Sequence, residues 1–137
     1  MAANSLPMFS RVPDIQWTGN NTAANTAKDG TGTVLTLFTA DATNGGFVHR
    51  IAAKPAGTNV ASVLRIFINN GSTNATAGNN SFVMEVDLPA TTLSEAATMS
   101  VVERAVNIAL PPGYKLIATM GTAVAAGWTA TAYGGKY

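Results

Sequence analysis

Few residues in this chain are of the types that perform chemistry. His49 is its only histidine, and it contains no cysteine, so a Ser-His-acid triad would have to use His49 as its base. No G-x-S-x-G motif presents a nucleophilic serine. His49 lies between Phe47 and Ile51 in an apolar stretch. This setting favours a hydrogen-bonded core or interface residue over a catalytic or ligating one.

Acidic residues supply two further candidates. Glu85 and Asp87 alternate along a strand-like segment, so their side chains would share one face about 7 Å apart. A glycosidase could use such a pair as acid and base, but any solvent-facing strand shows the same pattern, and we favour the latter. Asp41 and Asn44 could chelate calcium weakly, although a simple turn is favoured because no D-x-D-x-D-G ladder is present. The sequence thus predicts no catalytic residue, no metal site and no bound cofactor.

Three aromatic residues leave two interpretations open. Trp17, Trp128 and Tyr133 could form a platform on which sugars stack, or they could anchor a core or an interface, which is more common for aromatic residues along strands. Exposed rings lining a groove would favour sugar binding. Buried or subunit-facing rings would favour a structural role.

The elements that would position these residues are strands. β-Branched and aromatic stretches alternate with Gly, Pro, Asn and Asp turns at fairly even spacing, which is typical of a sandwich or barrel. We therefore expect an all-β, jelly-roll-like antiparallel β-sandwich of about eight strands. The predicted strands are 14–18, 33–40, 47–54, 60–68, 82–88, 102–110, 114–120 and 128–133.

Three segments carry more specific expectations. In 82–88, strict alternation places Phe82, Met84, Val86 and Leu88 on the core face. Segment 60–68 is apolar on both faces, which predicts a central strand or one covered at an interface. Capping-box spacing at Thr92 to Glu95 leaves a short helix within 92–106 open.

Composition limits the classes of partner. Only 11% of the 137 residues are charged, the net charge is +1 and no basic block occurs, so we expect no nucleic-acid partner. No apolar run approaches 18 residues and the start lacks signal-peptide character, so we expect no membrane partner. Pro7 and Pro13 predict an extended N-terminal arm, residues 1–16, ahead of a β-sandwich domain, residues 17–137.

Several phrases carry a family resemblance. The stretches 26–35 (TAKDGTGTVL), 65–72 (RIFINNGS), 110–116 (LPPGYKL) and 127–135 (GWTATAYGG) resemble head decoration, or cement, proteins of tailed bacteriophages. That resemblance implies a virion structural protein, not an enzyme, assembled in the host cytoplasm. It would bind the major capsid protein on the outer head surface and stabilise capsomers, often as a homotrimer.

Docking of this kind requires apolar residues beyond one core. The arm and the doubly apolar strand supply the candidate interface residues, which are Leu6, Met8, Phe9, Val12, Ile15, Val63 and Phe67. An alternative function is that of a carbohydrate-binding β-sandwich from a phage fibre or receptor-binding head. A glycosidase is a weaker third alternative.

Overall fold

The computed structural model describes residues 10–137 as eight strands and one 3-10 turn. In chain order, the strands are β1 (Val12–Trp17), β2 (Leu35–Thr39), β3 (Gly46–Pro55), β4 (Ser62–Asn69), β5 (Asn80–Leu88), β6 (Val102–Leu110), β7 (Lys115–Met120) and β8 (Trp128–Lys136). The 3-10 turn, Ala77–Asn79, directly precedes β5.

The strands form two antiparallel sheets of four strands each. The front sheet has the order β1-β8-β3-β6 and the back sheet the order β2-β7-β4-β5. Four of the pairings are nested, because β1 pairs with β8, β2 with β7, β3 with β6 and β4 with β5. This nesting is the arrangement of a jelly roll, and the predicted eight-stranded all-β sandwich is confirmed.

The core lies between the two sheets and is formed by alternate residues of their strands. Each large side chain buried there contributes about 1.5–3 kcal/mol relative to an exposed position. Its larger members include Leu37, Phe38, Val48, Ile51, Leu64, Ile66, Val86, Leu88, Leu110, Leu116, Met120 and Trp128.

The predicted boundary between arm and domain falls inside β1. Val12 pairs with Lys136 and Trp17 with Thr131, so residues 12–16 belong to the sandwich. Pro13 does not prevent this, because β1 is an edge strand and proline is tolerated there. The contact with β8 begins one residue before β1, since the Arg11 amide donates to the Lys136 carbonyl at 2.7 Å. Residues 1–9 of the predicted arm lie outside the described range.

The register of β5 departs from strict alternation. Val86 and Leu88 are buried as expected, and Met84 is half-buried against the core. Phe82, in contrast, is 45% exposed. Ile66 faces Met84 while Phe67 faces Phe82, so one extra residue in β5 moves Phe82 to the outer side of the sheet.

The second apolar face of β4 is covered by this chain itself. Phe67 is fully buried outside the main core and stacks on Phe82, with ring centroids 4.9 Å apart. Segments of two loops meet above this sheet, where Asn74 Nδ2 donates to the carbonyls of Gly30 and Gly32. Phe67, which was predicted as an interface residue, is thus covered within this chain and has no exposed surface. Apolar faces indicate that a strand is covered, but they do not say by which chain.

The open question of a helix in 92–106 is also answered. Residues 89–101 are irregular, and β6 begins at Val102. Ser94 Oγ accepts from the amides of Ala96 and Ala97, which closes a local turn in place of a helical cap. No helix within residues 10–137 is long and apolar enough to cross a membrane.

Candidate functional site

Four connections converge at one end of the sandwich, and the one from β1 to β2 is joined to the one from β7 to β8, where the Val124 amide donates to the Thr22 carbonyl at 3.0 Å. Segments 56–61, 89–101 and 121–127, which we call the loop end, link β3 to β4, β5 to β6 and β7 to β8. A backbone bridge joins Asn59 to Thr91, and the amide of Leu93 donates to Thr58 Oγ1. The first two segments are therefore held side by side.

One buried amide connects the loop end internally. Asn59 Oδ1 accepts from the amides of Ala126 and Gly127 at 2.8 and 2.9 Å. Asn59 Nδ2 donates to the carbonyls of Gly57 and Gly127 at 3.2 and 3.0 Å. Three of these bonds, all except the one to Gly57, hold segment 121–127 against segment 56–61, so the loop end has a defined shape despite its lack of regular structure.

The surface of the loop end is apolar and almost uncharged. Val60, Leu93 and Val101 are 58%, 51% and 48% exposed. The one charged residue in the three segments is Glu95, and one charged side chain reaches them from β3, since Lys54 Nζ donates to the Met99 carbonyl at 2.7 Å. Exposed apolar groups mark contact sites, and depletion of charge is the compositional mark of the centre of a protein interface.

A groove crosses the outer face of the front sheet near the opposite end. At His49, β3 contains one extra residue relative to β8, and its register with β6 shifts at the same point. Across from it, Asn107 is the one non-glycine residue in the described chain with positive φ, at 49°. These irregularities bend the strands and open a groove of about 370 Å³.

The groove combines an apolar surface with fixed polar groups. Pro13, Ile15, His49, Arg50, Asn107 and Tyr133 contribute to its lining. The Arg50 guanidinium lies 3.9 Å from the centroid of the Tyr133 ring, and its Nη1 donates to Glu103 Oε1 at 2.7 Å. Arg50 is thus held in place by a cation–π contact and an ion pair.

The residues first considered for catalysis are placed elsewhere or otherwise occupied. His49 is exposed at the groove, with its ring edge-to-face on Phe47 at 5.1 Å, so it is not a core residue. Glu85 Oε1 accepts from Arg65 Nε at 3.0 Å, and Asp87 lies exposed farther along β5. The structure does not bring His49 and Glu85 together, because they belong to different sheets.

Asp41 closes a turn. Its Oδ1 accepts from the amides of Asn44 and Thr43 at 2.9 and 3.0 Å. These two backbone hydrogen bonds, led by the one from Asn44, hold the pKa of Asp41 below its usual value because they favour the carboxylate. No group of three or more His, Asp or Glu side chains positioned to hold a metal ion occurs within the described range.

The three aromatic candidates do not form one platform. Trp128 is buried in the core, whereas Trp17 is 68% exposed and Tyr133 lines the groove. Of the remaining interface candidates, Val12 and Ile15 are exposed on β1 and Val63 is half-buried. Leu6, Met8 and Phe9 lie outside the described residues.

No family model, curated protein or solved structure matches this chain.

The loop end and the groove include residues that the sequence analysis did not single out. Asn107 could have been noticed from the sequence, because it is a polar residue within the otherwise apolar run from Val106 to Leu110. Asn59 and the pairing of Arg50 with Glu103 gave none, because a buried amide and a cross-strand ion pair depend on distant segments.

Proposed function

We propose that this protein is a capsid decoration protein that docks on the outer surface of a tailed-phage head and stabilises its capsomers. The observation that carries the proposal is the loop end, a pre-shaped apolar surface with one charged residue. The resemblance of four sequence stretches to head decoration proteins supports the same function. The partner would be the major capsid protein, and the protein would reside on the virion.

The loop end is suited to docking because its shape is fixed before contact. The side chain of Asn59 joins segment 56–61 to segment 121–127 through three hydrogen bonds. A surface ordered in advance loses little conformational entropy on binding, which leaves more of the contact energy for affinity. Val60 and Leu93, which are exposed on the two segments that the bridge at Asn59 and Thr91 joins, would both take part in the contact.

The experiment measures co-sedimentation of the purified protein with undecorated heads. Val60→Asp and Leu93→Asp should each weaken binding at least about tenfold, because they place a charge in a desolvated contact. Both positions are exposed, so the fold should persist. Ser72→Asp, an exposed change in the loop between β4 and β5, is the matched control. Unchanged binding by both loop-end variants, or equal loss in the control, would refute docking through this end.

We also propose a homotrimer. Val12 is an exposed apolar residue on β1, an edge strand of the front sheet, and it does not line the groove described above. Leu6, Met8 and Phe9 precede that strand in sequence. Edge strands and apolar arms are common contact elements between chains. Sedimentation equilibrium of the intact protein tests this, and a monomer at high concentration would exclude the trimer. Val12→Asp should shift a trimer toward monomer.

A further inference from the structure

We propose that the groove on the front sheet is a binding site for a neutral saccharide, a function beyond docking on a capsid. It is separate from the loop end, since its residues come from the middle and opposite end of the front sheet. A protein docked through its loop end would keep this groove available for a second ligand.

The size and lining of the groove fit a small polar ligand with an apolar side. Its volume of about 370 Å³ is within the range of small-molecule sites, roughly 300–1,000 Å³. Ile15, Pro13 and the Tyr133 ring provide apolar surface, while His49 and Asn107 provide polar groups at its border. A pyranose presents C–H groups on one face and hydroxyls around its edge, which matches this division.

The charge of the groove selects among polar ligands. Arg50 is already paired with Glu103 at 2.7 Å, so the local net charge is close to zero. An anionic ligand would compete with the Glu103 carboxylate for Arg50, which Glu103 already holds from beside the groove. A neutral hydroxyl can accept from another N–H of Arg50 without displacing Glu103. A neutral saccharide is therefore favoured over a phosphate or an acidic sugar.

The geometry of the groove is fixed before any ligand arrives. The cation–π contact with Tyr133 and the ion pair with Glu103 both restrain Arg50. Asn107 adopts a left-handed conformation that is uncommon for residues with a side chain, although asparagine is among the residues that tolerate it. Such local strain is frequent at binding sites, where the surrounding structure maintains it.

The test is a titration followed by amide NMR spectra of isotope-labelled protein. The probes are lactose, maltose and N-acetylglucosamine, raised to about 50 mM, well above an expected dissociation constant of about 1 mM. At least one sugar should produce saturable shifts at His49, Arg50 and Asn107. N-acetylneuraminic acid is the acidic probe and should bind at least about tenfold more weakly than the best neutral sugar, because it would compete with Glu103 for Arg50.

Two variants and a control assign the site. Arg50→Leu should weaken binding about tenfold through loss of a charged donor. Ala105→Trp should abolish it by filling the groove from an exposed position, and its unshifted core signals would show that the fold is intact. Arg104→Ala, an exposed change on the same strand, should bind as the parent does. The proposal is overturned by no saturable shift with any neutral sugar, by shifts confined to another surface, by binding that survives Ala105→Trp, or by preference for the acidic probe.

Discussion

Asn59→Ala should destabilise the protein far more than the loss of one loop side chain usually does. Asn59 Nδ2 donates to two carbonyls, and each of them would keep another donor in the variant. Gly57 O also accepts from Thr91 Oγ1 at 2.6 Å, and Gly127 O also accepts from the Ala56 amide at 2.9 Å. The two amides that donate to Asn59 Oδ1 would not keep a partner among the contacts described. The cost therefore comes from two donors.

The magnitude follows from their burial. Gly127 is buried, so its amide would lose its only acceptor away from water, which costs about 1–3 kcal/mol. Ala126 is partly exposed, so water can reach its amide and the cost there is nearer 1 kcal/mol. The expected loss is about 3 kcal/mol, a large fraction of a typical unfolding free energy of about 5–15 kcal/mol.

Urea denaturation followed by circular dichroism measures this loss. For an m-value of about 2 kcal/mol/M, the midpoint should fall by about 1.5 M. Asn70→Ala is the control, since the exposed Asn70 side chain makes two hydrogen bonds in the β4–β5 loop, and its loss should stay below about 1 kcal/mol. If the two variants lose equal stability, the reasoning about buried donors at the loop end is refuted. Co-sedimentation with undecorated heads adds a functional measurement, because the Asn59→Ala variant, with a less ordered loop end, should also bind heads more weakly.

Three further changes test other parts of the fold. Val86→Asp should cost several kcal/mol, since it buries an unpaired charge in the core, and a variant as stable as the parent in urea would show that the register of β5 is wrong. Gly45→Ala should destabilise more than Gly113→Ala. Both glycines have positive φ, at 79° and 77°, but an added Cβ at Gly45 would lie 2.5 Å from the Leu110 carbonyl oxygen, whereas at Gly113 nothing lies within 4 Å; equal melting temperatures would contradict this. The lowered pKa of Asp41 should stabilise the folded state above the unfolded pKa of about 4 and lose that contribution as pH falls through the lower folded pKa. Comparing urea midpoints at neutral and acid pH should therefore show a smaller drop for Asp41→Asn than for the parent.

The fold was predictable because its signals are local. Turn residues bounded the strands, and the two-residue period of β5 identified Val86 and Leu88 as core residues. The same reasoning fails where the position of a side chain depends on how two strands pair. The placement of Phe82 depended on an extra residue in β5, which is visible only when β4 is its partner. Strands with and without an extra residue show the same two-residue period, so the sequence of β5 alone could not reveal the bulge.

The sites were less predictable, since they depend on tertiary neighbours. Sequence alone placed His49 on an apolar face, but the bulge turns it outward to the groove. Phe67 was expected at an interface and is instead covered within the chain. In both cases, the residue type and its strand were identified correctly, and the surroundings were decided by segments far away in sequence.

The nested pairing of the strands has a consequence for how the protein folds. β8 lies between β1 and β3, so the front sheet lacks its centre until residues 128–136 have been synthesised. Such non-local pairing raises contact order, and folding then takes milliseconds to seconds. During that interval, β1 and β3 present unpaired edges and apolar faces, with few charges to oppose aggregation. A nascent chain that stops before β8 should therefore aggregate, whereas a chain that includes β8 pairs the facing edges of β1 and β3.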